Sequence, residues 1–159
     1  MRGLVVTVSN RAAAGVYADT SGPLLAGLLA DAGCALVDGP VIVPDGEPVE
    51  VALRTGLAEE YDVIVTTGGT GLTPTDRTPE MTRRVIDREI PGIAEAIRLV
   101  NREKVPASVL SRGLAGQAGR TLVVNLPGSS GGVRDGMAVL GPILRHAVDQ
   151  IRGGDHPRS

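Results

Sequence analysis

A glycine-rich segment, residues 65–80, carries the residue types best suited to binding and transferring a phosphate group. A run of β-branched residues ends at Thr67 and leads into a turn made of Gly68, Gly69, Thr70 and Gly71. Glycines let a ligand approach the backbone closely, and successive N–H groups in such a turn bind anions. Thr78-Pro79-Glu80 then has the composition of a helix start. A plain strand-to-helix turn needs fewer glycines, so the segment favours a phosphate-binding loop.

Two acidic residues, Asp45 and Asp76, are candidates for holding a magnesium ion beside that loop. Each also has an ordinary interpretation: Asp76 as a solvated loop acid, and Asp45 as the N-cap of a helix that runs to about Glu60. Both follow predicted strands, and ligands bind outside the carboxyl ends of strands in an open α/β sheet. Converging on one cleft, the two carboxylates could hold Mg²⁺ for phosphoryl or nucleotidyl transfer.

A second strand-turn-helix segment, Asn125-Leu126-Pro127-Gly128-Ser129, has a similar composition. Its glycine-rich turn is another candidate anion site at a helix start, although a plain loop explains it equally well. Ser111 and Arg112 precede it, and the guanidinium of Arg112 could bind a phosphate through two parallel hydrogen bonds. Both segments are therefore candidates for ligand contact.

Three familiar kinds of active site are disfavoured by the residue spacing. The chain has no Gly-x-x-x-x-Gly-Lys-Ser/Thr sequence, and its only lysine, Lys104, is far from the glycine-rich turn, which argues against a P-loop nucleotidase. No Gly-x-Gly-x-x-Gly follows the first predicted strand, so a dinucleotide-binding fold is disfavoured. Neither His146 nor His156 accompanies a serine or cysteine nucleophile sequence, which leaves a hydrolase triad without support.

Valine-rich runs alternate with segments of helical period, and this alternation predicts an α/β fold with a largely parallel sheet. Strands are predicted over residues 4–8, 35–43, 62–67 and 121–125. Helices are predicted after Ser21, Asp45, Thr78 and Pro91, and over a last segment with an apolar face of Met137, Leu140, Leu144, Val148 and Ile151. We expect residues 1–153 to form a single domain and residues 154–159 a flexible tail.

The composition of this 159-residue chain restricts its partners. A net charge of -2 and the lack of Phe and Trp disfavour nucleic-acid binding. Apolar runs fall short of the roughly 20 residues that span a bilayer, so we expect no membrane partner and a cytoplasmic location. Cys34 is the only cysteine, so we expect it to be a buried apolar side chain rather than part of a disulfide or a zinc site.

Taken together, these segments resemble the molybdopterin adenylyltransferase family, which includes MogA- and MoaB-like proteins and the G domains of gephyrin and plant Cnx-type proteins. The resemblance covers nearly the whole chain. Its specific part is the Thr-Gly-Gly-Thr-Gly…Asp…Thr-Pro-Glu sequence, and the weaker matches are Ser9-Asn10-Arg11, Val43-Pro44-Asp45, Leu110-Ser111-Arg112 and Asn125-Leu126-Pro127-Gly128. Two positions depart from the family: Asn10 replaces its usual Asp, and Ser129-Ser130-Gly131-Gly132 replaces its commoner Asn-Pro-x-Ala.

The resemblance implies a three-layer α/β/α sandwich with a mostly parallel central sheet, MoaB/Mog-like and assembled as a homotrimer. It implies that the terminal phosphate of molybdopterin receives AMP from ATP with Mg²⁺, and that adenylyl-molybdopterin passes to a molybdate insertase. The family's catalytic and magnesium-binding acids map onto Asp45 and Asp76. Substrate- and nucleotide-binding residues expected on this basis are Thr67, Gly68, Gly69, Thr70, Gly71, Glu80, Ser111, Arg112, Asn125, Pro127, Gly128 and Ser129.

Two rival functions remain open at the level of the sequence. A non-catalytic relative would bind molybdopterin without transferring AMP, and the presence of both Asp45 and Asp76 argues against it. A nucleotide pyrophosphatase of the CinA type has a related glycine loop. The Thr-Gly-Gly-Thr-Gly form and the single short domain favour cofactor assembly instead.

Overall fold

The computed structural model describes residues 1–154. Its strands are β1 (Arg2–Val8), β2 (Leu36–Val43), β3 (Val63–Thr67), β4 (Arg88–Glu89), β5 (Ala115–Ala118) and β6 (Thr121–Leu126). They form one sheet in the order β2-β1-β3-β6-β5-β4. The β2-β1-β3-β6 part is parallel, and β5 and β4 are antiparallel additions. The mostly parallel sheet is thus confirmed, and β4 and β5 are strands that the sequence did not predict.

Helices cover both faces of the sheet: α1 (Asn10–Ala13), α2 (Ser21–Asp31), α3 (Glu47–Ala58), α4 (Thr78–Arg83), α5 (Pro91–Leu99), α6 (Ser130–Ile151) and a 3₁₀ helix (Pro106–Leu110). Alternate side chains of a strand point to opposite faces. Val5 and Val65 accordingly pack with α2, α5 and α6, whereas Val6 and Ile64 pack with α3 and α4. The predicted three-layer α/β/α arrangement is therefore confirmed.

Two helix caps differ from the sequence prediction. Helix α3 begins after Gly46, whose φ of 95° suits glycine, and Asp45 makes no capping bond to that helix. Helix α4 begins at Thr78 itself, with Arg77 as an N-cap that has no side-chain bond. The prediction of Asp45 as an N-cap is thus wrong, because its carboxylate bonds to a neighbouring loop instead.

Cys34 is buried at 3% exposure, as predicted. Among residues 1–154, no helix has the length and apolar character needed to cross a bilayer. The predicted tail starts at Gly154, whose N–H donates to the Asp149 carbonyl at 2.8 Å. Its residues 155–159, including His156, lie outside the described residues.

Candidate functional site

A cavity of about 560 Å³ lies beside the carboxyl ends of β3 and β6. Its walls are the loop after β3, the segment from Asn101 to Ser111, the turn after β6 and the first turns of α6. The residues predicted from the sequence that line it are Gly69, Thr70, Gly71, Asp76, Ser111, Pro127, Gly128 and Ser129. Segments distant in the chain thus share one cleft, because parallel strands end at the same edge of the sheet.

The loop after β3 presents unpaired backbone donors. The N–H groups of Gly69, Thr70 and Gly71 donate to no acceptor within residues 1–154. The loop is held by other bonds: Gly68 N–H donates to the Leu126 carbonyl at 3.0 Å, and the carbonyl of Gly69 accepts from Thr78 N–H at 3.1 Å. Positive φ angles at Gly68 and Gly69, of 101° and 69°, turn the chain. Three successive free N–H groups can bind an anion.

Asp45 reaches this loop from the end of β2. The backbone N–H of Arg77 donates to both carboxylate oxygens of Asp45, at 3.2 and 3.1 Å, and the Gly46 N–H donates to Oδ1 at 2.7 Å. Burial raises the pKa of the Asp45 carboxyl, the two N–H donors oppose that rise, and the nearby Asp76 carboxylate adds to it. The Asp45 side chain therefore links the end of β2 to the loop after β3.

Asp76 lies at the other side of the same loop. Its Oδ2 accepts from the Thr73 N–H at 3.3 Å, and its own N–H donates to the Thr73 carbonyl at 3.0 Å. A methyl group on Gly71 would lie 2.8 Å from Asp76 Oδ2, and one on Gly69 would lie 2.5 Å from Asp45 Oδ2. The structure thus brings both predicted acids against the glycines that carry the free N–H groups.

These two carboxylates fit a magnesium ion that also takes ligands from a bound nucleotide. Within residues 1–154, no three His, Cys, Asp or Glu side chains form a complete metal-binding set. Mg²⁺ in nucleotide sites is held by one or two carboxylates, with phosphate and water oxygens completing the octahedron. Because Gly69 and Gly71 carry no Cβ, the carboxylates of Asp45 and Asp76 have room to approach the loop. The donor set is therefore suited to Mg²⁺ with phosphate rather than to Mg²⁺ alone.

Arg112 holds the loop in place. Its Nε donates to the Gly71 carbonyl at 2.8 Å, its Nη2 to the Asp76 carbonyl at 2.8 Å, and its Nη1 to both carboxylate oxygens of Glu80 at 2.8 and 2.7 Å. Glu80 raises the pKa of Arg112 through this pair. Each guanidinium nitrogen already donates within the protein, and the phosphate contact that the sequence predicted for Arg112 stays a prediction. The Glu80 carboxylate is the ion-pair partner of Arg112.

Two other predicted residues lie behind the cavity wall. Asn125 is 3% exposed, and its Nδ2 donates to the hydroxyls of Thr66 and Thr82 at 2.9 and 3.0 Å. The Thr67 hydroxyl donates to the Pro127 carbonyl at 2.8 Å. Asn125 and Thr67 therefore join β3, β6 and α4 and shape the site, and neither lines the cavity. Gly68 packs against the Val8 carbonyl and also lies behind the wall.

The two departures from the family pattern have local structural roles. The side-chain oxygen of Asn10 accepts from the Asp45 N–H at 2.9 Å, so it helps fix the backbone that carries one of the acids. Ser129 is the N-cap of α6, and its hydroxyl accepts from the Gly132 N–H at 3.0 Å. Both contacts support the rim of the site.

Asn101 and Asp135 line the same cavity, although no pattern in the sequence predicted them as site residues. The Nδ2 of Asn101 donates to Oδ2 of Asp135 at 3.1 Å. Each is a polar residue on the surface of a helical region, where exposure to solvent is the ordinary expectation. No local pattern in the sequence distinguishes them from other surface residues.

Comparison with known proteins identifies the family. The family model described as "Probable molybdopterin binding domain" matches residues 4–146. A molybdenum cofactor biosynthesis bifunctional protein from Synechococcus elongatus is 36% identical over 152 residues, which are 96% of this chain and 48% of that protein. The chain spans about half the length of the first curated relatives that it matches.

Two further relatives are similar over most of their own length. A molybdopterin adenylyltransferase from Helicobacter pylori is 33% identical, over 94% of this chain and 86% of that protein. The solved structure of the molybdopterin biosynthesis Mog protein from Mycobacterium ulcerans is 51% identical, with a TM-score of 0.90, and covers 94% of this chain and 98% of that one. The chain therefore belongs to the family of MogA- and MoaB-like probable molybdopterin-binding domains.

Proposed function

We propose that this protein transfers AMP from ATP to the terminal phosphate of molybdopterin, with Mg²⁺, as a step of molybdenum-cofactor biosynthesis. The observation that carries the proposal is the row of free N–H groups at Gly69, Thr70 and Gly71, flanked by Asp45 and Asp76 at the edge of a cavity. Nucleotidyl transfer needs phosphates held in line and negative charge offset, and these groups supply both. The name of the Helicobacter pylori relative supports the same reaction.

In the proposed reaction, an oxygen of the molybdopterin phosphate attacks the α-phosphorus of ATP. A bond forms between that oxygen and phosphorus, the bond from phosphorus to the bridging oxygen of the β-phosphate breaks, and pyrophosphate leaves with the electron pair. The attacking phosphate is already anionic at neutral pH, so no side chain has to remove a proton from it. Catalysis then depends on positioning and on charge.

Each part of the site has a defined task in this proposal. The free N–H groups of the loop hold phosphate oxygens, and the amino-terminal turn of α6 after Ser129 adds partial positive charge. Asp45 and Asp76 would hold Mg²⁺, which offsets phosphate charge when it is bound. Arg112, paired with Glu80, keeps the carbonyls of Gly71 and Asp76 at fixed positions. The loop is thereby preorganised for charge that develops in the transition state.

The wider context of the reaction is also proposed. We infer that residues 1–153 act as a single domain, that the protein is a cytoplasmic homotrimer, and that adenylyl-molybdopterin passes to a molybdate insertase. These inferences depend on the family resemblance. The length of the bifunctional relatives, about twice that of this chain, supports a second activity joined to this one in those proteins.

The test is transfer of label from α-labelled ATP to purified molybdopterin with Mg²⁺. We expect Asp76→Asn to lower the rate by roughly 100-fold or more while pterin binding persists, because charge held beside the reacting phosphates matters most in the transition state. The exposed Asp149 near the end of α6 offers a matched control. Asp149→Asn removes the same charge outside the cavity and is expected to leave the rate unchanged.

Two results would contradict the proposal. Molybdopterin binding without any labelled product in the native protein would favour the non-catalytic rival. Magnesium-dependent hydrolysis of pyridine nucleotides or ADP-ribose, without AMP transfer, would favour the pyrophosphatase.

A further inference from the structure

The pair of Asn101 and Asp135 forms a polar corner of the cavity that the proposed chemistry does not use. Asn101 follows α5, and Asp135 lies near the start of α6; both are partly buried. The backbone at Asn101 is fixed because its carbonyl accepts from the N–H groups of Lys104 and Val105, at 3.2 and 2.9 Å. With the 3.1 Å bond from Asn101 Nδ2 to Asp135 Oδ2, the carboxylate is held in a defined orientation.

This corner presents hydrogen-bond acceptors to the cavity. Asp135 Oδ1 and Asn101 Oδ1 have no donor within residues 1–154. A carboxylate that has one oxygen held by an amide still accepts further bonds, and charge makes those bonds strong. Arg134, on the neighbouring position of α6, also lines the cavity but makes no ion pair with Asp135. The corner is thus suited to a ligand edge that carries adjacent N–H donors.

Apolar side chains cover the space next to that corner. Val105 and Leu110 are 46% and 52% exposed and line the cavity with Ala107, with Pro127 also in the lining. A flat heterocycle can bury its faces against such aliphatic groups, and the chain contains no Phe or Trp that could stack on it. An apolar wall with a few polar groups at its edge is the usual composition of a small-molecule site.

The Asp135 carboxylate can discriminate between the pterin ring and the adenine ring, which are both present in the proposed reaction. A pterin carries its 2-amino group and its N3–H side by side on one edge, so a carboxylate can accept from both. Adenine carries its amino group next to ring nitrogens that are acceptors, which offers a carboxylate only one donor. Asp135 would also repel phosphates, which bind favourably at the free N–H groups of Gly69, Thr70 and Gly71 in the same cavity.

We propose that Asp135, oriented by Asn101, recognises the amino and N3–H edge of the pterin ring of the acceptor substrate. This inference rests on the proposed function for the presence of a pterin in the cavity. It sets the direction of the substrate, with the ring at α6 and the phosphate at the loop after β3. Asp135 is then a specificity-determining residue, and Asn101 is a positioning residue that acts through it.

The test compares two ring systems that differ at the 2-position, in the absence of ATP. The probes are 6-hydroxymethylpterin and the corresponding lumazine, in which an oxygen replaces the 2-amino group, with binding followed by fluorescence. We expect the native protein to prefer the pterin by about 10- to 100-fold, as a hydrogen-bonding site rejects a ligand that lacks the donor. Asp135→Asn should abolish that preference, because its amide presents a donor.

The control variant is Asp149→Asn, and ATP is the second ligand. Asp149→Asn removes the same charge from the exposed side of α6 outside the cavity, and it should keep the preference. The affinity for ATP should be the same in all three proteins. An undiminished pterin preference in Asp135→Asn would overturn the inference, and so would a loss of ATP affinity in that variant, which would assign the corner to adenine.

Failure of this inference is separable from failure of the proposed function. The ring comparison contains no ATP and measures binding alone, so it is independent of AMP transfer. A native protein that transfers AMP but shows no difference between the two rings would overturn only the role of Asp135. A native protein that prefers the pterin but transfers no AMP would support the role of Asp135 and contradict the reaction.

Discussion

The hydroxyl of Thr78 is a buried polar group at the centre of the site. Thr78 is fully buried, and its Oγ1 has no hydrogen-bond partner in the structure. A methyl group on Gly69 would collide with this oxygen and with Asp45 Oδ2, so the two oxygens border the same small space. A buried hydroxyl without a partner costs stability, because its bonds to water are lost and not replaced.

Replacing this hydroxyl with a methyl group is therefore expected to stabilise the fold. Thr78→Val keeps the shape of the side chain, and we expect it to raise the free energy of unfolding by about 1–3 kcal/mol, measured by urea denaturation. Thr78→Ser is the control, because it keeps the hydroxyl and loses only the methyl group, and it should not be stabilised. A lower midpoint for Thr78→Val would mean that the hydroxyl donates a bond in solution, with Asp45 as the nearest candidate acceptor.

At the scale of elements, the loop after β3 depends on contacts from both sides. Arg112, from the segment before β5, fixes the carbonyls of Gly71 and Asp76, and Asp45, from the end of β2, fixes the N–H of Arg77. The loop therefore has a defined shape, even though its glycines would be flexible in isolation. This arrangement leaves its three N–H groups free for a ligand.

Two Gly→Ala variants separate the effect of backbone strain from the effect of a new Cβ that collides with site residues. Gly69 and Gly119 both have positive φ angles, of 69° and 56°, but a Cβ at Gly119 would meet open space, whereas one at Gly69 would strike Thr78 and Asp45. Both Gly→Ala variants should lose about 1 kcal/mol or more of stability from the strained φ. We expect Gly69→Ala alone to lower AMP transfer, by roughly 100-fold, because it displaces Asp45.

Transfer from α-labelled ATP and urea denaturation measure the two effects. Equal transfer rates in the two variants would contradict the view that Asp45 has to approach the loop over Gly69. A large loss of transfer in Gly119→Ala would point to a general effect of instability instead.

At the scale of the whole molecule, an ion pair connects the end of α6 to the opposite end of the sheet from the cavity. The guanidinium of Arg152, just after α6, contacts Asp62 Oδ1, and Asp62 Oδ2 accepts from the Arg2 N–H at 2.6 Å. Asp62 is 4% exposed, and a buried carboxylate needs such partners to offset its lost hydration. The contact places Arg152 within the proposed domain of residues 1–153.

The proposed end of the domain near residue 153 predicts how a shortened chain behaves. A protein ending at Gly154 should unfold at the same urea concentration as the full chain, because it keeps Arg152 and α6. Arg152→Ala in the full chain should lose about 1–3 kcal/mol of stability, since it leaves a buried carboxylate oxygen without its cation. A large loss on removal of residues 155–159 would show that the domain extends beyond the proposed limit.

The sequence by itself determined the main strands and helices and the chemical character of the loop after β3. The β-branched run that ends at Thr67, the helical spacing after Ser21 and Pro91, and the glycines from Gly68 to Gly71 are local patterns. They are informative because backbone sterics and the hydrophobic period act over a few residues. The mostly parallel sheet followed from these patterns, and the three layers were implied by the family resemblance.

Only the tertiary structure decided which polar side chains meet. Asn125 and Arg112 belong to segments that the sequence selected, yet one is buried against Thr66 and Thr82 and the other already holds the loop. Asn101 and Asp135 are 34 residues apart and became partners because α5 and α6 pack side by side. Such bonds depend on the packing of distant elements, and periodicity along the chain reports which face of an element is buried, not which neighbour covers it.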